Sequence, residues 1–288
     1  MKYLILICLL IATPCRAAVF YSDGYETGDF SKTGSNGEST WGEVGTAADS
    51  VTVSTDNPRT GTYSVKMLFG GSSDENDDAL CELRYSLDDT AGQGYTEFYL
   101  RYWVYYPSNY TIRDVDPNNN KLATVWADTY GASGRQSFNA ETSRSSGLAN
   151  ILVQSRTTGY PYTTLDCNPG LDIIDGPDAQ RYTIPSADYE QWISFEFHYK
   201  IDTGAGNYIF ELWVDDDLKI SHTKDVPSAP CAINFLRNGY IFGAANSGFA
   251  QDTIIYVDDV EWSTTRIGGT TASEHTISGG IFSGGIIQ

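Results

Sequence analysis

From Tyr95 to Tyr106 the chain alternates with a period of two. Phe98, Leu100, Tyr102, Val104 and Tyr106 fall on one side, and Tyr99, Arg101, Trp103 and Tyr105 on the other. Successive side chains of an extended strand point to opposite faces, so this segment builds a strand with one apolar face and one aromatic face carrying a single cation. Similar alternation, or β-branched and aromatic runs between Gly, Asn, Asp and Pro clusters, recurs along the chain. No window sustains the 3.6 spacing of an amphipathic helix. The pattern predicts strands over 62–70, 80–87, 95–106, 121–127, 149–156, 192–201, 208–214, 240–245 and 253–262. That many strands without helices or a fixed repeat predict an all-β fold, a single antiparallel β-sandwich of the jelly-roll kind.

The two ends read differently from the middle. Met1-Lys2 followed by the apolar run Tyr3 to Ala12 has the form of a secretory signal peptide, with cleavage expected after Ala17 or Ala18. The expected organisation is a signal peptide over 1–18, one sandwich domain over 19–266 and a Gly-rich tail over 267–288. A secreted location follows from the leader. Beyond it lie Cys81, Cys167 and Cys231, which allow one disulfide and one free thiol, with the pairing open.

Acidic residues outnumber basic ones by 37 to 18, for a net charge of −19. A surface of that sign is repelled by phosphate backbones and anionic lipid headgroups, which argues against nucleic acid and membrane as partners. The charge is uneven, however. Residues 101–156 hold Arg101, Arg113, Lys121, Arg135, Arg144 and Arg156 against Asp114, Asp116, Asp128 and Glu141. This stretch suits an acidic ligand. Aromatic faces stack on the C–H faces of sugar rings and arginine forks onto carboxylates, so Tyr99, Arg101, Trp103 and Tyr105 are candidate contacts for an anionic polysaccharide. The same face also fits a strand covered by a loop.

Other strands add polar groups. Glu82 and Arg84 alternate with Cys81, Leu83 and Tyr85. Lys121 starts another strand, Gln154 and Arg156 share a strand face, and Tyr160 and Tyr162 follow closely. A Lys, a Gln-x-Arg and a Tyr-x-Tyr on one sheet face would support β-elimination from a uronic acid. Cations or an amide neutralise the carboxylate and acidify the neighbouring C–H, and a tyrosine near arginine, its usual pKa of about 10 lowered, moves the protons. The plainer alternative is that these are solvent-facing strand residues.

Hydrolysis is the weaker enzyme reading. A retaining glycosidase needs two carboxylates roughly 5 Å apart. Asp259 with Glu261 and Asp215 with Asp217 have i, i+2 spacing, yet one pair ends a terminal strand and the other sits in an expected hairpin turn. There is no zinc motif, nucleophile elbow, phosphate loop or dinucleotide fingerprint, so no organic cofactor is expected. Asp114 to Asn120 begins like a calcium loop but lacks its glycine, and Val125 stands where a bidentate Glu belongs.

Both ends of the domain carry a resemblance. Phe20-Tyr21-Ser22-Asp23-Gly24-Tyr25-Glu26 and Tyr256-Val257-Asp258-Asp259-Val260-Glu261-Trp262 resemble the paired terminal strands of secreted concanavalin A-like jelly rolls. That resemblance implies a structural calcium near Glu26 and Asp258. Trp192 to Lys200, with Glu211-Leu212-Trp213-Val214-Asp215, is similar to the hairpin of jelly-roll polysaccharide lyases and laminin-G-like domains. Glu82-Leu83-Arg84 matches the end of the Arg-x-Glu-Leu-Arg strand of one alginate lyase group, with Leu80 in place of the first arginine. Lys121, Gln154, Arg156, Tyr160 and Tyr162 resemble in order the site of polysaccharide lyase family 14, with Gln154 where that group often has Ser.

The resemblance implies a lyase acting on alginate or a related uronate polymer. In that expectation Gln154 and Arg156 hold the carboxylate, Tyr160 or Tyr162 moves protons and Lys121 assists. Arg84 and the aromatic strand contact substrate. The alternative is a non-catalytic carbohydrate-binding or extracellular adhesion domain.

Overall fold

A computed structural model describes residues 18–87, 94–115, 118–127, 135–145, 148–158, 172–173, 182–201, 208–224 and 235–269. All of the expected signal peptide but Ala18, together with Tyr160, Tyr162, Cys167, Cys231 and nearly all of the expected tail, lies outside the described residues. The strands in chain order begin with β1 (Val19–Asp23), β2 (Ser39–Val44), β3 (Ser50–Ser54), β4 (Ser64–Phe69), β5 (Ala79–Ser86) and β6 (Glu97–Tyr105). The middle of the chain adds β7 (Asn119–Ala127), β8 (Arg135–Ser145), β9 (Leu148–Thr158), β10 (Asp172–Ile173) and β11 (Tyr182–Thr183). The last six are β12 (Trp192–Lys200), β13 (Tyr208–Val214), β14 (Asp217–Lys224), β15 (Leu236–Ile241), β16 (Ala244–Ala245) and β17 (Thr253–Ser263). One 3₁₀ turn, Ser186–Asp188, is the sole helical element among the described residues.

Two antiparallel sheets result, so the all-β sandwich expected from the sequence is the fold. The first runs β14-β13-β12-β6-β17-β4-β3, with β1 also paired to β17. The second runs β10-β9-β8-β7-β15-β5, with β2 on the far side of β5, β11 on β9, and β16 between β7 and β5. Pairing the first strand with the last closes the chain on itself, in a register that matches Tyr21 to Trp262 and Asp23 to Val260.

The core is the space between the sheets. Phe98, Leu100, Tyr102 and Val104 of β6 are fully buried there, as are Cys81, Leu83 and Tyr85 of β5. Each such side chain contributes roughly 1.5–3 kcal/mol on leaving water. Polar tips are satisfied in place: the Tyr102 hydroxyl donates to the Leu122 carbonyl at 3.2 Å, tying the sheets together. The Tyr85 hydroxyl donates to the Thr124 carbonyl at 3.1 Å, past Gly239. A Cβ at Gly239 would stand 2.1 Å from that carbonyl oxygen, so β15 can cross there only as glycine.

The outer face of the first sheet is covered over β12. Seven of the nine β12 residues are buried, because Ile267 and Gly268 lie over it and donate their N–H groups to the Glu196 carboxylate at 2.6 and 2.8 Å.

Candidate functional site

Register across the second sheet gathers most of the polar candidates on one face. Trp41 pairs with Arg84, Arg84 with Tyr240, Tyr240 with Thr124, Thr124 with Asn139, and Asn139 with Gln154. Directly paired residues share a face, so this is one continuous row. The next row runs Ser39, Ser86, Asn238, Trp126, Ser137 and Arg156. At about 4.8 Å per strand, Arg84 and Gln154 stand roughly 19 Å apart along their row.

Lys121 joins this face through an irregularity. The ladder between β7 and β8 shifts between Lys121 and Ala123, so Lys121 is opposite Glu141, two residues from Asn139. Without that extra residue Lys121 would fall on the core side. Its ammonium donates to the Asn246 side-chain oxygen at 2.8 Å, and the Asn246 amide donates to Asp78 at 3.1 Å. Tyr240 and Trp126 meet edge to face at 5.3 Å on the same surface. Gly243 makes room beneath them: a Cβ there would come within 2.7 Å of the Tyr240 ring and 3.1 Å of the Lys121 Cβ.

Arg84 is engaged by acids, its Nε donating to Glu82 at 2.6 Å with Glu43 at 3.9 Å. Trp126, Tyr240 and Trp41 are aromatic members of this face that sequence reasoning did not single out. Their placement depends on pairings between strands far apart in the chain, and no local pattern encodes those.

The β6 quartet lies elsewhere, on the outer face of the first sheet. Tyr99, Arg101, Trp103 and Tyr105 therefore do not join Lys121, Arg84, Gln154 and Arg156 on one surface. They are also occupied internally. Tyr99 stacks on His198, Arg59 lies 3.6 Å over the Trp103 ring, and Arg101 faces Asp216 at 3.5 Å. Tyr105 contacts Trp192 and Tyr256. Burial, with Glu97 and Glu211 nearby, pushes the Tyr99 phenol up to about 12, so it is no base at neutral pH. The aromatic face is half-buried, and Arg101 and Trp103 border a cleft.

Beside the quartet is a cleft of about 440 Å³ lined by Asp23, Arg59, Arg101, Trp103, Asp259 and Glu261 among others. Asp259 is an inserted residue at φ 46°, where the β17 register shifts between Asp258 and Glu261. Asp259 and Glu261 flank buried Val260 and both line the cleft, as their i, i+2 spacing predicts, and Asp259 is also paired with Arg59. Asp215 and Asp216 form the tight turn between β13 and β14 at φ 48° and 68°, as the sequence predicted for that hairpin.

Glu26 and Asp258 are held by backbone. Glu26 accepts N–H groups of Thr62 and Tyr63 at 3.0–3.1 Å, and Asp258 accepts those of Arg59, Thr60 and Asp259. Burial pushes the Asp258 carboxyl up to about 6. Among the described residues no three His, Cys, Asp or Glu side chains converge on a point that could hold a metal ion. The two carboxylates brace the 59–63 turn.

The fold has solved counterparts. The alginate lyase vAL-1 from a Chlorella virus superposes with a TM-score of 0.50 at 13% identity, covering 75% of this chain and 90% of that one. An endo-β-1,4-glucuronan lyase from the fungus Trichoderma reesei gives 0.48 at 14% identity, over 77% and 90%. The cellulose-induced protein Cip1 gives 0.48 at 16%, over 86% and 99%. At these identities the likeness is one of fold: a jelly-roll sandwich of the kind found in polysaccharide lyases. No protein-family model matches the sequence, and no curated protein matches it.

Proposed function

We propose that the chain is a secreted lyase that cleaves uronate-containing polysaccharide by β-elimination on the outer face of the second sheet. The observation that carries this reading is the register that aligns Arg84, Lys121, Gln154 and Arg156 on one sheet face. In the proposed step Arg156 and Gln154 neutralise the substrate carboxylate and so acidify the C–H beside it. A base removes that proton, the electron pair forms the C=C bond, and the glycosidic oxygen at the β carbon departs and takes up a proton. Tyr160 or Tyr162 carries the protons, and Lys121, held by Asn246, stabilises the developing negative charge.

Incubation with alginate and with glucuronan, followed by ultraviolet absorbance of unsaturated chain ends, tests this. Product from either polymer, lost in Arg156→Ala and Lys121→Ala, is the expected result. Binding of those polymers with no unsaturated product overturns the lyase reading and leaves a carbohydrate-binding domain.

A further inference from the structure

We propose that Trp41 is a stacking subsite for an uncharged sugar ring at the far end of the same row. The inference rests on the lyase face described above and names the kind of residue that flanks the uronate there. Five of the six tryptophans have a ring or cation partner within the protein: Trp103 has Arg59, Trp126 has Tyr240, Trp192 has Tyr105, Trp213 has Arg266, and Trp262 has Tyr21 and Tyr85. Trp41 alone has no ring or cation partner among the described residues, and it is 37% exposed.

Its place is not arbitrary. Gly42, the next residue, is packed so closely on Val51 that a Cβ would stand 2.7 Å away, which fixes the β2 edge strand against the sandwich. Trp41 is in register with Arg84 and so ends the row that crosses to Gln154, roughly 24 Å away at about 4.8 Å per strand. A flat indole presented to solvent at the end of a polar row matches the C–H face of a sugar ring.

Charge then selects the ring. Beside Trp41, Arg84 is paired with two acids among the described residues, Glu82 and Glu43. A uronate carboxylate placed there would meet net negative charge, whereas a neutral sugar would not. The polymer that crosses this face carries uronate at the Gln154 and Arg156 end of the two rows and a neutral sugar near Trp41.

Binding of neutral gluco- and xylo-oligosaccharides and of oligoglucuronates, measured by calorimetry on wild type and Trp41→Ala, tests the assignment. The expected result is that wild type binds a neutral series and Trp41→Ala binds it about tenfold more weakly, with Trp41→Phe partly restoring it. Equal binding by wild type and Trp41→Ala, or a Trp41-dependent affinity confined to oligoglucuronates, overturns it. Unsaturated product from uronate polymers reports separately on the lyase reading, so either can fail alone. Unchanged circular dichroism checks that Trp41→Ala folds.

Discussion

Tyr99 lies flat against His198, with ring centroids 4.2 Å apart and planes 7° from parallel. The imidazole is thereby fixed between two carboxylates, its Nδ1 2.8 Å from Glu211 and its Nε2 2.9 Å from Glu97. The hydrogen bond from His198 holds the Glu211 carboxyl below its usual range against the opposing effect of burial. Burial raises Glu97, but hydrogen bonds from Lys200 and His198 outweigh it and leave that group lowered as well. A carboxylate lowered in the folded state adds stability above its unfolded pKa of about 4.3, and that stability is lost as pH falls through the folded value. His198→Gln should therefore cost about 1–3 kcal/mol at neutral pH and flatten the loss of stability below pH ~4. Urea unfolding between pH 3 and 7 measures both, and an unchanged acid limb would refute the assignment.

This arrangement shows what the sequence could and could not convey. The alternation in Tyr95 to Tyr106 encodes a two-faced strand, and the alternating burial shows which face meets the core. Whether the other face was open depended on Arg59, Arg266 and the 267–268 backbone folding over it, contacts made from far along the chain. Strand β8 escaped notice because Arg135 to Ser145 is almost wholly polar and alternates with nothing. Strands β2 and β3 are short, and Gly42 interrupts the first. The bulge that turns Lys121 outward leaves no local mark either, although Lys121, Gln154 and Arg156 were legible as candidates from their residue types and spacing.

Asp258 should impose a pH dependence of opposite sign. Its side chain is fully buried, and burial raises its carboxyl to about 6, against about 3.9 in the unfolded chain. The folded state holds the proton more tightly, so this group's stabilising contribution is present at low pH and is lost as pH rises from about 4 to 6. The stability of wild type relative to Asp258→Asn should fall across that window, by at most about 2–3 kcal/mol. Parallel thermal melts at pH 4, 5, 6 and 7 follow the difference. A constant offset between the two proteins would contradict the shift.

Cys81 is a free thiol, fully buried between the sheets, with its sulfur 3.0 Å from the Leu68 carbonyl. Burial pushes the thiol far above its ordinary range, so it carries no thiolate at neutral pH. A thiol-specific aromatic disulfide reagent should leave Cys81 unmodified in the native protein and react with it on unfolding in guanidinium. Mass spectrometry of the labelled peptide identifies the site, and rapid native labelling of Cys81 would show that the sandwich opens there.

Gly243 links packing to the proposed chemistry most directly. A methyl group there would stand 2.7 Å from the Tyr240 ring and 3.1 Å from the Lys121 Cβ. Tyr240 cannot swing freely, because it is nearly buried and set edge-on against Trp126. Lys121 is the more mobile neighbour, and its displacement would break the 2.8 Å bond to Asn246. Gly243→Ala should cost about 1–3 kcal/mol from overpacking. If the outer face of the second sheet is the reactive one, turnover of uronate polymer should fall further than the lost folded fraction explains, since misplacing a charged group by about 1 Å can cost about 100-fold in rate. Thermal melts and initial rates on the same preparation separate the two effects. A destabilised Gly243→Ala protein with full activity per folded molecule would move the reaction away from Lys121.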